Sequence, residues 1–111
     1  IHAVQFDASD VALAAHYGCP VAHCPASNAK LGHGVAPLRA LLDAGVVVGL
    51  GTDSVASNNR LDLLDEARLA ALLQRAVHAR GDALTAREAL TLATLGGARA
   101  LGLEARVGTL A

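Results

Sequence analysis

The stretch VVVGLGTDSVASNNRLDLL, residues 46 to 64, decides the fold, because it puts one acid at the exit of a buried apolar strand. Val46, Val47, Val48 and Leu50 make the short β-branched run of a parallel strand covered on both faces. Gly49 and Gly51 within it leave room for close approach of other backbone. Asp53 follows at the carboxyl end, where α/β barrels keep catalytic carboxylates. Two readings of Asp53 stand side by side: a metal ligand or base, or a loop aspartate capping a helix that starts near Leu61.

Upstream of this stretch, Val21 to Cys24 reads as another strand and Ile1 to Val4 as the tail of an earlier one. Between them, Asp7 or Ser9 caps a helix from Asp10 to Tyr17 that Gly18 closes. A polar loop runs from Pro25 to about Ala36, then Pro37 opens a helix through Ala44 that Gly45 ends. Downstream, Leu61 to about Ala79 is helical, with Leu63, Leu64, Ala67, Ala71 and Leu72 on one face. Thr85 and Glu88 form a T-x-x-E capping box for a helix to Leu95, and a last short helix from Ala98 to Leu101 stops at Gly102. Three strands alternating with helices specify a parallel α/β sheet, its strands adjacent in chain order, with His2 and Asp53 at their carboxyl ends.

A closed (β/α)8 TIM barrel takes roughly 200 residues or more, so 111 residues predict part of one. The chain opens on Ile1 and His2 without an initiator methionine and reads as cut from something longer. Its three strands leave open edges, and Val21, Val46, Val48 and Leu50 are predicted to supply apolar surface built to pack against absent strands.

With 53% hydrophobic and 17% charged residues the chain is globular, not a disordered linker, and its core rests on Ala, Leu and Val. A net charge of -1 without a Lys/Arg block argues against a nucleic-acid partner. The apolar runs are too short for a membrane span, and two cysteines make no disulfide framework, so the expected location is the cytoplasm.

HCPASNAKLGHGVAP (residues 23 to 37), GLGTDSVASNNRLDLLDEARLAALL (49 to 73) and TLATLGGARALGL (91 to 103) together resemble the amidohydrolase superfamily. The nearest branch is the aminohydrolases: deaminases of S-adenosylhomocysteine and methylthioadenosine, cytosine and guanine deaminases, and triazine chlorohydrolases. The resemblance implies about the last three βα units of the barrel with C-terminal helices, residues 1–111 being a single domain whose N-terminal part is missing. It implies that Asp53, which matches the aspartate after the eighth strand, binds the catalytic divalent metal, zinc or alternatively iron, and shuttles a proton. His2, which matches the histidine ending the sixth strand, orients the attacking water or polarises the group under attack. The implied reaction is hydrolytic deamination of a small N-heterocycle, or dechlorination in one variant, by a parent enzyme that is a homo-oligomer.

The family's HxH pair, its other metal-binding histidine and its ring-protonating acid have no counterpart here, so this chain alone is expected to hold no tight metal and turn over no substrate. Other candidates have plain alternatives. His2 alone also fits a satisfied structural histidine. His23 and Cys24 are strand neighbours facing opposite ways, and with His16 and Cys19 they lack a paired CxxC knuckle. His33 and His78 read as loop and helix-surface residues and Lys30 as solvated. Ser27, Asn28, Ser57, Asn58 and Asn59 fit substrate contact or simple turn formation. Two rival functions remain: a noncatalytic binding fragment or pseudoenzyme, and a nucleotide-binding module in which GLGTDS approximates G-x-G-x-x-G with Ser54 in place of the third glycine.

Overall fold

The computed structural model describes residues 1–110. Two short strands, β1 (Val21–His23) and β2 (Val48–Leu50), pair in parallel with Val21 opposite Val48 and His23 opposite Leu50. Helices α1 (Ala8–His16), α2 (Pro25–Lys30) and α3 (Leu38–Asp43) precede β2; α4 (Val55–Asn58), α5 (Leu63–His78), α6 (Ala86–Thr91) and α7 (Gly97–Ala100) follow it. The α/β alternation predicted from sequence is therefore present, with a sheet of two strands among the described residues.

The predicted first strand does not form. His2 and Ala3 both take left-handed backbone angles (φ +70° and +53°), and consecutive residues of that kind cannot propagate a ladder. The segment still lies beside β1, because the His2 amide donates to the Ala22 carbonyl at 2.8 Å while the flanking Val21 and His23 bond towards β2. At the other edge, the strand predicted from Val46 is shortened to Val48–Leu50: the Val46 amide turns back to the Leu41 carbonyl of α3, leaving Val47 as the first residue on the ladder side. The loop predicted from Pro25 opens instead as α2, with Pro25 in its first turn.

Several local signals operate as read. Asp7 accepts from the Ser9 and Asp10 amides, Asp10 reaches back to the Asp7 amide, and Gly18 (φ +62°) turns the chain after α1. Thr85 and Glu88 form the predicted reciprocal box at α6. The helix near Leu61 is capped by Asp62, which removes that role from Asp53.

The core gathers Leu38 and Leu41 from α3, Ala67, Ala70 and Ala71 from α5, and Leu84 around Val21, Val46, Val48 and Leu50. This corrects the expectation that those last four residues form a wet face: helices of the same chain cover them, and all are buried. In the pleat it is Val47, pointing the opposite way, that is 39% exposed. Further along that side, Gly49 meets the helical C-terminal segment. The helix expected to end at Leu95 continues through a π-helical turn (Leu92–Gly96) into α7. Backbone crosses backbone there, since a Cβ on Gly49 would lie 2.7 Å from the Gly97 Cα. None of the helices among the described residues is long and apolar enough to cross a membrane.

Gly49→Ala should therefore lower stability by about 1–3 kcal/mol through overpacking against backbone that cannot rotate away. Gly81→Ala is the control, because nothing lies within 4 Å of a Cβ there and its φ is not left-handed. Denaturant midpoints of the two variants check this; equal midpoints would contradict the close crossing.

Candidate functional site

Three chain turns converge at the carboxyl ends of the strands. Asp53 leaves β2 two residues after Gly51 and is itself left-handed (φ +59°), the conformation His2 also takes. Non-glycine residues in this region cluster where a structure needs a side chain aimed against its backbone preference. The outcome is that His2 Nε2 and Asp53 Oδ2 lie 3.7 Å apart, with both side chains about one-third exposed. They share a cavity of about 470 Å³ whose wall also includes Phe6, Leu31 and His33.

Helix α2 supplies the groups that hold this pair. The Ser27 hydroxyl donates to Asp53 Oδ2 at 2.6 Å, and the Ser57 hydroxyl of α4 donates to the same oxygen at 2.8 Å. The Ser27 bond, followed by that of Ser57 and the Ser54 amide, keeps the Asp53 carboxyl below the usual carboxylate range, so it stands ionised and able to accept a proton. The next residue of α2, Asn28, meets His2: its Oδ1 is 2.8 Å from His2 Nδ1.

Position of α2 depends in turn on Glu66 of α5, which is only 2% exposed. Its carboxylate accepts from the Ala26 amide at 3.0 Å and from Asn58 Nδ2 at 2.5 Å, while Asn58 also donates to the Thr52 carbonyl at 2.6 Å. Lys30, expected to be solvated, fastens the other end of α2 to α4 through the Ala56 carbonyl and Asn59 Oδ1. Sequence reasoning missed Glu66, whose position in a charged, amphipathic helix gave no sign of its contacts. The only sequence cue was its place in the motif from Gly49 to Leu73. Ser27, Asn28, Ser57 and Asn58, left open between turn formation and substrate contact, are tied to Asp53, His2 or Glu66.

His23 and Cys24 do not join this site as ligands. Burial pushes the Cys24 thiol up to about 11, with Asp53 and Glu66 adding to the effect, so it stays protonated. Among the described residues no group of three or more His, Cys, Asp and Glu side chains is placed to hold a metal ion. The donor set present thus fits one carboxylate ligand with a histidine beside it, and not a complete centre.

The sequence matches the Amidohydrolase family over residues 1–111, and the chain belongs to that family. It is 49% identical over 109 residues to the 5-methylthioadenosine/S-adenosylhomocysteine deaminase of Moorella thermoacetica, covering 98% of this chain and 26% of that protein. An adenosine deaminase from Xanthomonas campestris with bound zinc superposes with a TM-score of 0.94 at 46% identity, covering 99% of this chain and 25% of that one. The atrazine chlorohydrolase of Arthrobacter aurescens, complexed with zinc, superposes at 0.91 with 40% identity, covering 98% and 24% respectively. The chain thus spans about a quarter of the length of the relatives it matches.

His23 gives a pH signature. Its ring is 1% exposed, neither nitrogen has a partner among the described residues, and burial, reinforced by His2, pushes its pKa down to about 4. The unfolded chain protonates near the ordinary 6.5, so it binds the extra proton first. Stability from this group is then fully present above about 6.5 and lost as pH falls towards 4. His23→Leu should flatten the fall in urea midpoint between these pH values; an unchanged slope would assign the acid sensitivity to other groups.

Proposed function

We propose that this chain is the part of a metal-dependent hydrolase barrel, its last βα units, that carries Asp53 as metal ligand and proton shuttle and His2 as its partner. The hydrolase acts on non-peptide carbon–nitrogen bonds of a small N-heterocycle. The observation that carries this reading is the meeting of His2 and Asp53, 3.7 Å apart, in one cavity, with Asp53 held ionised by two hydroxyls. Support comes from the deaminase relatives and from the zinc in two of the similar structures. Further metal ligands must come from outside this chain, given the donor set described above.

A zinc-class ion, when bound, supplies a water whose pKa is lowered to about 7. Asp53, whose carboxylate is ionised and already oriented by Ser27 and Ser57, would hold the ion and accept a proton from the attacking water. The water oxygen bonds to the amidine-like ring carbon, the bond from that carbon to the exocyclic nitrogen breaks, and Asp53 returns its proton to the departing ammonia. Through Nε2, His2 orients the attacking oxygen or polarises the carbon under attack. Phe6 and Leu31 give the cavity an apolar wall suited to the face of a heterocycle. A chloride leaving group fits the same course, with the proton released instead of passed to nitrogen.

The test uses the full-length hydrolase that contains this chain, with ammonia release measured from methylthioadenosine, S-adenosylhomocysteine, adenosine, guanine and cytosine. Asp53→Asn should retain the fold and lower turnover by about 10²–10⁴-fold or more, since an amide cannot accept the proton. His2→Ala should also be severe. Near-native deamination by Asp53→Asn with metal content intact would defeat the assignment.

A further inference from the structure

Two consecutive residues of α2 each grip one member of the reactive pair. Ser27 and Asn28 are both only 1% exposed, far more buried than the His2 and Asp53 side chains they hold. Ser27 Oγ reaches Asp53 Oδ2 at 2.6 Å and Asn28 Oδ1 reaches His2 Nδ1 at 2.8 Å. One peptide unit separates the two, so the spacing of the pair is set by the backbone of a single helical turn. That turn is fixed at its start by Glu66 and at its end by Lys30.

We propose that Asn28 is a positioning residue for the reaction: its carbonyl oxygen holds His2 as the Nδ1–H tautomer, so that all proton exchange and contact with reacting atoms pass through Nε2 on the side of Asp53. This rests on the reading of His2 as a reacting group. The other half of the amide, Asn28 Nδ2, is buried and finds no partner among the described residues, so the contact with His2 is the one side-chain hydrogen bond this amide makes. The other constraints on His2 agree: its own amide is pinned to the Ala22 carbonyl and its φ of +70° aims the ring from a fixed backbone. With Nδ1 committed to Asn28, Nε2 is left facing Asp53 Oδ2 at 3.7 Å.

The proposal makes opposite predictions for two substitutions. Asn28→Asp keeps an accepting oxygen, gives up a donor that has no partner and adds a negative charge that also favours a proton on Nδ1, whereas Asn28→Leu keeps the bulk and removes the acceptor. In the full-length hydrolase with ¹⁵N-labelled histidine, the ring-nitrogen shifts of His2, assigned through their loss in His2→Gln, should show Nδ1–H in the wild type and in Asn28→Asp. In Asn28→Leu the proton should redistribute towards Nε2, and kcat should fall about 10- to 100-fold with KM little changed and metal content unaltered. Asn28→Asp should recover most of that kcat. A wild-type His2 protonated at Nε2 and bare at Nδ1 would overturn the proposal, as would an Asn28→Leu variant with wild-type tautomer and kcat. If Asn28→Leu fails to fold, the wild-type tautomer and the Asn28→Asp variant still decide. Absence of deamination by the wild-type protein counts against the proposed function alone, because the tautomer is read without substrate.

Discussion

The buried carboxylate of Glu66 is the interaction on which the rest of the site depends. It takes two hydrogen bonds, one from the first turn of α2 and one from Asn58 of α4, and so joins the helix that follows β1 to the two that follow β2. A carboxylate this far from water is tolerated only where its oxygens are satisfied, and the Ala26 amide at a helix N-terminus is a favourable partner for negative charge. Removing it would strand both donors and release the turn that carries Ser27 and Asn28. Two successive layers of polar contacts thus stand between the apolar core and the His2–Asp53 pair, with Glu66 as well as Ser27 and Asn28 almost fully buried while the pair itself is about one-third exposed.

That arrangement explains how Asp53 can be both exposed and well defined. Its left-handed backbone is unfavourable in itself and persists because the surroundings over-determine it. Two hydroxyls converge on one oxygen and favour the ionised form, while His2 contributes a smaller Coulombic effect. The proton-accepting role proposed for Asp53 needs this combination: access to solvent, with little freedom to rotate. On the far side of the sheet the close crossing of Gly49 and Gly97 has the corresponding task of seating the C-terminal helical segment directly on β2.

How far the sequence reveals this depends on the range of the interaction concerned. Local chemistry was legible: Asp7 with Asp10, Thr85 with Glu88, and the turn after Gly18 are all decided within four residues. The strand preceding Asp53 was legible because its apolar run is bounded by glycines, and Asp53 and His2, singled out through the family resemblance, do lie together in the structure. The segment from Ile1 to Val4 was misread, because apolar composition cannot show that His2 and Ala3 lie at positive φ. PASNAK resembles a loop in composition, and its helix depends on a carboxylate 40 residues away from Ala26. Burial of Val21, Val46, Val48 and Leu50 was misjudged for a related reason: alternation along a strand says that two faces differ, but not which face the helices cover.

In the proposed site Asp53 binds the metal while His2, fastened to Asn28, stands beside it. Anomalous diffraction at the zinc edge from crystals of the full-length hydrolase tests this most directly. The expected result is a peak about 2.0–2.2 Å from an Asp53 carboxylate oxygen, with His2 Nδ1 still on Asn28. A fully occupied peak remote from Asp53, or one coordinated by His2 Nδ1, would contradict it.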